Sequence, residues 1–524
     1  MQPFSLPALG SYKQAQAPAA SAARDALVKW SFVAIVAIAS LWMQLSVFLN
    51  HDVAWVLWGA RQMLGGETWG RDIIEPNPPL AWYLSMPAAW LAQTFGTPIV
   101  ATFQLMVAGA ALASVAAFDR LARSARPARN ARSYLPMLIA ALFLLLFPYR
   151  DFGQREHLML IAALPYLALT ASRCIGRVSI SCAAAIGVGV VAGLGFALKP
   201  HFLAVPLLAE IAVLFAVRRW TSVFRPETIA IGAVIGTYGL WVLLFVPDYM
   251  ATVVPLAQAI YWSFDVPLSR LLSPVILPVV AMVWAATMLR RSPRSLPLVI
   301  CAATAGFLLS YVAQHKSYSY HLLPVTAGAA LTIATLLSGS NLSRKRRMTA
   351  SLMLALLLVQ PTLNTGNWLL RNGPGGPRAA TQSRLIEAID REAGDGRFLV
   401  VAVHPFPAFP TALYSQAEQV SRTNSHWFLP AVVQLRNGAI APDPGALGVA
   451  ERNAREFVLR DLSHKPDLVI IDTDSARHTV GKRNFDFLSF YQEDEQFRAA
   501  WVPYREIAPL EGFRLFVRRE GQGQ

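Results

Sequence analysis

Trp30–Leu49, WSFVAIVAIASLWMQLSVFL, is an apolar run without a single charge. It is long enough to cross the hydrocarbon core of a bilayer as one helix, for which about 20 residues suffice. Directly behind it stands His51–Leu80, HDVAWVLWGARQMLGGETWGRDIIEPNPPL. This second stretch carries His51, Asp52, Arg61, Glu67, Arg71, Asp72 and Glu75, and closes on the stiff Asn77-Pro78-Pro79. An acid a few residues past an apolar span is desolvated on one side and wet on the other, which makes it a functional candidate. The competing reading is that Asp52 only caps a short surface helix.

The rest of the chain repeats the pattern. Of its 524 residues, 55% are hydrophobic and 15% charged, where a soluble protein carries about 25% charged. Eleven apolar runs lie at about 30–49, 98–118, 135–147, 158–172, 178–197, 202–217, 228–246, 274–289, 296–313, 322–338 and 348–363. The expected fold is therefore a polytopic α-helical membrane domain over 29–364, with a first outer loop at 50–97. The net charge of +15 does not mark a nucleic-acid binder, because the basic residues sit in short clusters between apolar runs. Those clusters are Arg120, Arg123, Arg126, Arg129 and Arg132; Arg173 and Arg177; Arg218, Arg219 and Arg225; Arg290, Arg291 and Arg294; and Arg344–Arg347. They occupy every second connection. The positive-inside rule then puts those loops and the N-terminus in the cytoplasm, and the C-terminus outside. Residues 1–28 read as a disordered cytoplasmic tail. Trp30–Leu49 is too long for the apolar part of a cleavable signal, and no small-residue cleavage site follows it. Cys174, Cys182 and Cys301 suit neither a zinc site nor a disulfide framework.

The alternate loops differ in kind. Besides 51–97, they are Pro148–His157, Lys199–His201, Pro247–Ser273 and Gln314–His321. All nine histidines lie in these loops or beyond residue 364. Residues 365–378, with Gly373-Pro374-Gly375-Gly376-Pro377, read as a linker. The remainder, 379–524, reads as a soluble α/β domain outside the cell membrane. Helices are expected at Thr381–Arg391 and Ala450–Leu462, and buried strands at Arg397–Val403 and Asp467–Asp472, with a last strand at Phe513–Arg518. No GxGxxG follows a strand, so a nucleotide site is unsupported.

The outer face holds one candidate base, Asp52, and a second acid, Glu75. It also holds Arg155, Lys199, His201, Lys316 and His321 as candidate ligands of an anionic head group such as a phosphate. His51, Asp151, Glu156, His157, Gln314 and Tyr320 are candidate sugar or acceptor contacts. A transferase on this face has no access to cytosolic nucleotide sugars, so its donor is a sugar already carried across on a polyprenyl phosphate. Such a phosphate leaves without a proton. The reaction needs one general base and positive charge for the leaving group, and the inventory is of that kind. Blander readings compete: Glu75 as a charge held by Arg71, Arg155 with Glu156 as an ion pair, Asp151 as a cap, and Lys199 as a snorkelling side chain. A divalent metal on His51, Asp52 and Glu75 lacks a spacing motif. Glu210, inside a span, is expected to pair with a neighbouring helix, and Tyr261 and Trp262 to anchor at the interface.

Asp52 after the first span, the Gly65-Gly66-Glu67 turn, Glu75 and Pro78-Pro79-Leu80 resemble the first outer loop of the GT-C glycosyltransferases. Within them the chain is similar to the protein mannosyltransferase and aminoarabinose transferase group. Gln314, Lys316, Tyr320 and His321 resemble a Gln-x-Lys-x-x-x-Tyr-His segment of some bacterial members. The resemblance spans about residues 30–340, and a C-terminal periplasmic domain is common among such proteins. It implies that Asp52 is the catalytic acid residue of the site, that the donor is a polyprenyl-phosphate sugar, and that the acceptor is a glycan, lipid or protein in cell-envelope assembly. It places the chain in a bacterial inner membrane. The chain departs from the pattern at Val53, where relatives carry a second acid, and at Asn77, where many carry a lysine. Those departures leave metal use and acceptor contact open. The alternatives are a transporter or flippase of a lipid-linked or small anionic substrate, and a scaffold whose C-terminal domain binds a polymer.

Overall fold

The computed structural model describes residues 19–123, 125, 134–176, 180–291, 294–339, 342–474, 477, 479–481 and 485–519. Most of the expected tail, together with Arg126, Arg129, Arg132 and Arg177, lies outside the described residues. Residues 19–28, assigned to that tail from sequence, are instead the first turns of a helix.

Each of the eleven apolar runs contains a helix within its described residues. The order is α1 (Ala19–Leu45), α2 (His51–Leu64), α3 (Leu80–Phe95), α4 (Ile99–Leu121), and α5 (Leu135–Ala141) continued by a π turn over Leu142–Leu146. Next come α6 (Arg155–Arg173), α7 (Cys182–Ala197), α8 (Ala204–Val217), α9 (Pro226–Phe245), α10 (Val254–Ile260) and α11 (Leu268–Leu272). The last four of this part are α12 (Ile276–Arg291), α13 (Ser295–Ala313), α14 (Ser319–Leu337) and α15 (Arg344–Asn372). The first loop is therefore mostly helix. Asn50 caps α2 by accepting from the Asp52 amide at 2.8 Å, and Gly96, at φ 63°, ends α3 in the left-handed conformation.

Among the described residues, eight helices are long and apolar enough to cross a membrane. Their outward faces carry Ile38, Trp42, Phe215, Phe245 and Leu363, all more than half exposed. A soluble protein does not leave so much large apolar surface open. This is a multi-pass membrane protein with its polar groups turned inward. Helix α6, read as a span from its apolar run at 158–172, is not among these eight; its first turn carries Arg155, Glu156 and His157, it packs against α4, α7, α13 and α14, and nearly all its residues are buried. Helix α7 is short and glycine-rich, which lets its neighbours approach closely. A Cβ on Gly195 would lie 2.6 Å from Ala162 Cβ of α6, and one on Gly189 would collide with the Glu227 carbonyl oxygen of α9.

One end of the bundle is held by buried ion pairs. Lys29 pairs with Asp119 at 2.8 Å, tying α1 to α4. Arg225 pairs with Glu210 at 2.5 Å and Glu227 at 3.0 Å, and Arg173 reaches Glu227 at 3.2 Å. Glu210 also accepts from the Tyr166 hydroxyl. Its expected helix-pairing role is what the geometry gives.

Residues 365–372, read as linker from sequence, are the last two turns of α15, and the helix stops only at Gly373. The turn Gly373–Gly376 then leads into α16 (Pro377–Ala393) and β1 (Arg397–Val401). The domain continues through α17 (Ala408–Thr411), β2 (Glu418–Gln419), α18 (Leu429–Arg436), α19 (Ala446–Ser463) and β3 (Leu468–Asp472). It ends with α20 (Phe487–Gln492), α21 (Glu495–Trp501), β4 (Tyr504–Leu510) and β5 (Phe513–Arg518). The sheet order is β2-β1-β3-β5-β4. Strand β1 runs parallel to β2 and β3, while β5 is antiparallel to β3 and β4. Strand β4 escaped the sequence reading because it is an edge without a buried residue, held by its hairpin with β5.

The domain is bonded to the first loop and to the 261–264 segment. The Ile74 amide donates to Arg422 O at 2.8 Å, and the Leu49 amide to the Tyr414 hydroxyl at 3.2 Å. Gln434 Nε2 donates to Ser263 O at 2.8 Å.

Candidate active site

Helices α2 and α6 start side by side. Capping places Asp52 on the first turn of α2, and because Asn50 does the capping, the Asp52 carboxylate is left for other partners. Its Oδ2 accepts from Gln154 Nε2 at 2.9 Å, the residue just before α6. Its Oδ1 lies 3.6 Å from His51 Nε2. These residues open on a cavity of about 290 Å³. Asn50, His51, Asp52, Trp55, Glu75 and Trp82 form one side, and Arg150, Asp151, Arg155, Tyr261, Tyr318 and Tyr320 another. Val403, His404, Pro405, Asn424, Ser425 and Trp427 of the C-terminal domain close it. The outer loops read from sequence thus meet at one end of the bundle.

Glu75 is buried beside Arg155. Its Oε2 accepts from Trp55 Nε1 at 3.1 Å, its Oε1 accepts from the Asn77 amide and side chain, and Arg155 Nη1 stands 3.8 Å away. Arg71, the partner considered from sequence, pairs with Asp72 instead. The Arg155 guanidinium carbon lies 5.9 Å from the Trp82 ring centre. Its Nε and Nη1 are buried without a hydrogen-bond partner among the described residues. Asp151 accepts from Ser319 Oγ at 2.7 Å and has Arg150 Nε at 3.4 Å. Burial nonetheless pushes its carboxyl up to about 6. Burial also holds the His51 imidazole below its usual value, against the pull of Asp52; its ring stands edge-on to His404 at 4.4 Å.

The remaining candidates separate from the cavity. Lys199, in the turn between α7 and α8, donates to Glu156 Oε1 at 2.6 Å and to Gln314 Oε1 at 2.9 Å, with His321 Nε2 at 3.3 Å. Burial lowers the Lys199 ammonium to about 8, and Glu156 opposes that shift. This quartet sits behind Tyr320, whose ring centre is 5.5 Å from Lys199 Nζ. It does not line the cavity itself. Lys316 pairs with Asp265 at 2.5 Å and lies 4.8 Å from the Tyr261 ring centre, behind that wall. Tyr261, expected as an interfacial anchor, is wall rather than anchor, because Lys316 and the C-terminal domain cover its outer side. His157 braces a turn: Nδ1 accepts from the Gly153 amide at 3.0 Å, so Nε2 carries the proton to Leu144 O at 2.9 Å. His201 is exposed on its turn and lines nothing in the cavity.

Reading the sequence did not single out Arg150, Gln154, Trp55, Trp82 or any C-terminal residue. One signal was available for the last group. His404–Pro405 follows β1 and Asn424–Trp427 follows β2, and ligands gather beyond the carboxyl ends of parallel strands. As for a metal, His51, Asp52 and Glu75 do not form a ligand set. Among the described residues no three His, Cys, Asp or Glu side chains could hold an ion together, and Glu75 is engaged by Trp55 and Asn77.

No protein-family model matches the chain, and comparison with curated proteins gives no match. Among solved structures it is similar to the cryo-EM structure of the arabinofuranosyltransferase AftD from mycobacteria, at 13% identity and a TM-score of 0.46. The similarity covers 94% of this chain and 40% of that one, so the chain spans less than half its neighbour's length.

Proposed function

We propose that the chain is a membrane glycosyltransferase that moves a sugar from a polyprenyl phosphate to an acceptor hydroxyl on the outer face of the cytoplasmic membrane. One observation carries this reading. The same cavity holds a carboxylate freed from capping, Asp52, and a buried guanidinium, Arg155, with unpartnered N–H groups. Glu75, 3.8 Å away, compensates the charge but makes no hydrogen bond to it; unmatched buried donors cost about 1–3 kcal/mol, which an entering phosphate offsets. Arg150 adds a second positive charge on the same wall.

In the proposed reaction Asp52 takes the acceptor's hydroxyl proton. The acceptor oxygen forms a bond to the anomeric carbon, the bond from that carbon to the phosphate oxygen breaks, and its electron pair leaves on the phosphate. Arg155 stabilises that charge as it develops. In-line attack inverts the anomeric centre. Gln154 and His51 orient the base. No step requires a metal.

The test is Asp52→Asn in purified protein supplied with a panel of polyprenyl-phosphate sugars, reading release of lipid phosphate. Because Asn50 keeps the cap, the variant should fold and bind donor as before, with transfer reduced by at least a thousandfold. Undiminished transfer removes Asp52 from the mechanism. Flux of intact lipid-linked sugar across vesicles without transfer would instead indicate a flippase.

A further inference from the structure

A second cavity lies beside the first and shares no lining residue with it. It measures about 530 Å³ and forms where α1 ends, α4 begins and α15 turns into α16. Leu45, Phe48, Val100 and Ala101 make it apolar, Ala380 comes from α16, and Tyr414 from the C-terminal domain. The groove is open: Leu45 is 52% exposed, and Ala380 is exposed as well. It also sits at the hydrocarbon border, at the ends of three helices long and apolar enough to cross a membrane. Trp42, Leu105 and Leu370 lie on those helices close to the groove, and each is more than half exposed. The lipid-facing surface therefore runs up to it.

The charge beside the groove is of one sign. Arg371 is on the last turn of α15 and Arg378 on the first turn of α16, both exposed. The charged groups acting on Arg378 are Arg371 and Arg150, with no acid among them. Partial burial and these two charges hold its guanidinium below its usual value. Topology does not call for arginines here, because Arg120 and Arg344–Arg347 mark the opposite ends of α4 and α15. Nor does the start of α16, which favours an acid; it has none in its first turn and no side-chain cap. Two arginines without acids, next to uncapped helix amides, suit a phosphate. The open apolar groove suits a hydrocarbon chain, and a lipid supplies both.

We propose that the groove holds one anionic phospholipid of the surrounding bilayer, with its phosphate at Arg371 and Arg378 and an acyl chain along Leu45, Phe48, Val100 and Ala101. Held there, the lipid joins α1, α4 and α15 to α16 and Tyr414, and helps fix the C-terminal domain over the Asp52 cavity. A phospholipid fits better than a sugar donor, because the chain between groove and cavity is pinned shut. Phe48 meets the Tyr414 ring edge-on at 5.0 Å, and the Leu49 amide donates to the Tyr414 hydroxyl. The site stands whether or not the chain transfers sugar.

The experiment uses the full chain, delipidated in detergent, with phosphatidylglycerol, phosphatidylcholine, polyprenyl phosphate and inorganic phosphate as probes. Native mass spectrometry counts bound lipid, and thermal unfolding reads its effect on stability. Wild type should hold one phosphatidylglycerol at least tenfold more tightly than phosphatidylcholine, and should unfold at a higher temperature with it. Arg371→Gln combined with Arg378→Gln should abolish that preference, yet unfold as wild type does without lipid, since both side chains are exposed. Ala101→Phe, which fills the groove, should weaken phosphatidylglycerol at least tenfold. Asp52→Asn should bind it as wild type does. The site is overturned if the two phospholipids bind alike, or if the arginine variant binds as wild type does. Stabilisation by inorganic phosphate equal to that by phosphatidylglycerol would mark a free-phosphate site and also overturn it. Polyprenyl phosphate binding more tightly than phosphatidylglycerol, and lost in the same variant, would give the groove to the donor instead. Absence of sugar transfer from every donor, with phosphatidylglycerol still held through the arginines, would remove the transferase reading and leave the lipid site standing.

Discussion

Gln154 Nε2 reaches Asp52 Oδ2 at 2.9 Å and Asn50 Oδ1 at 3.5 Å, so one amide ties the start of α6 to the start of α2. It is 2% exposed, whereas the Asp52 side chain keeps 22% of its surface open. Gln154→Leu should leave Asp52 in place but free to rotate. A loss of near-attack geometry lowers kcat on the order of tenfold to a hundredfold. The donor KM should change little. Single-turnover kinetics check this, and an unchanged kcat would show that Gln154 does not position the base.

Glu75 and Arg155 form a buried pair, with side chains 6% and 10% exposed. Glu75→Ala removes the counter-charge and strands both the guanidinium and the Trp55 N–H. Breaking such a pair from one side costs about 3–5 kcal/mol, so thermal unfolding should move down clearly. Arg155→Lys should cost less stability, because the charge remains, yet should weaken lipid-phosphate binding through loss of the forked donor set. Equal melting temperatures for Glu75→Ala and wild type would contradict the pairing.

The Lys199–Glu156 contact at 2.6 Å predicts strong coupling. Lys199→Met and Glu156→Gln should each destabilise by about 3 kcal/mol or more, since each leaves a buried partner uncompensated. The double variant should lose less than their sum, by about 1–3 kcal/mol. A double-mutant cycle on detergent-solubilised protein measures the difference, and strict additivity would mean that the two side chains act independently.

Asp151 sets a pH signature. Its carboxyl is raised in the folded protein to about 6 by burial, from 3.8. A raised folded value means the folded state holds the proton more tightly. The group's contribution is therefore complete below about pH 4 and is lost as pH rises through 6. The span corresponds to about 3 kcal/mol. Asp151→Asn is neutral throughout, and it can still accept from Ser319. Its melting temperature relative to wild type should climb between pH 4 and 7. A flat difference across that range would contradict the shift.

The eight long spans were legible because lipid-facing helices need long, nearly uncharged runs, whereas α6 was read from its apolar run although it faces protein. Helix α2 was read as loop because its polar and aromatic residues face a protein-lined cavity, and α3 because its apolar run is only 16 residues long with Pro87 inside it. Strands β1 and β3 announced themselves as unbroken apolar runs, whereas β4 depends on its hairpin partner. Within the site, Asp52, Glu75 and Arg155 stood out as charges next to hydrocarbon. Gln154 and Trp427 did not, since a neutral amide and an indole become informative only once their neighbours are known. Lys199 and His321 looked equivalent to Arg155 in sequence. Only packing separates those behind Tyr320 from those in front of it.

Gly195 lies one helical turn before Lys199, at the place where α7 touches Ala162 of α6. Glu156 sits on that same α6, less than two turns earlier. The gap between ammonium and carboxylate is thus gauged by a missing side chain: a single hydrogen atom where any other residue would wedge the two rods apart. A methyl group added there would touch no charged atom, yet it would loosen the electrostatic backing of Tyr320 from a distance.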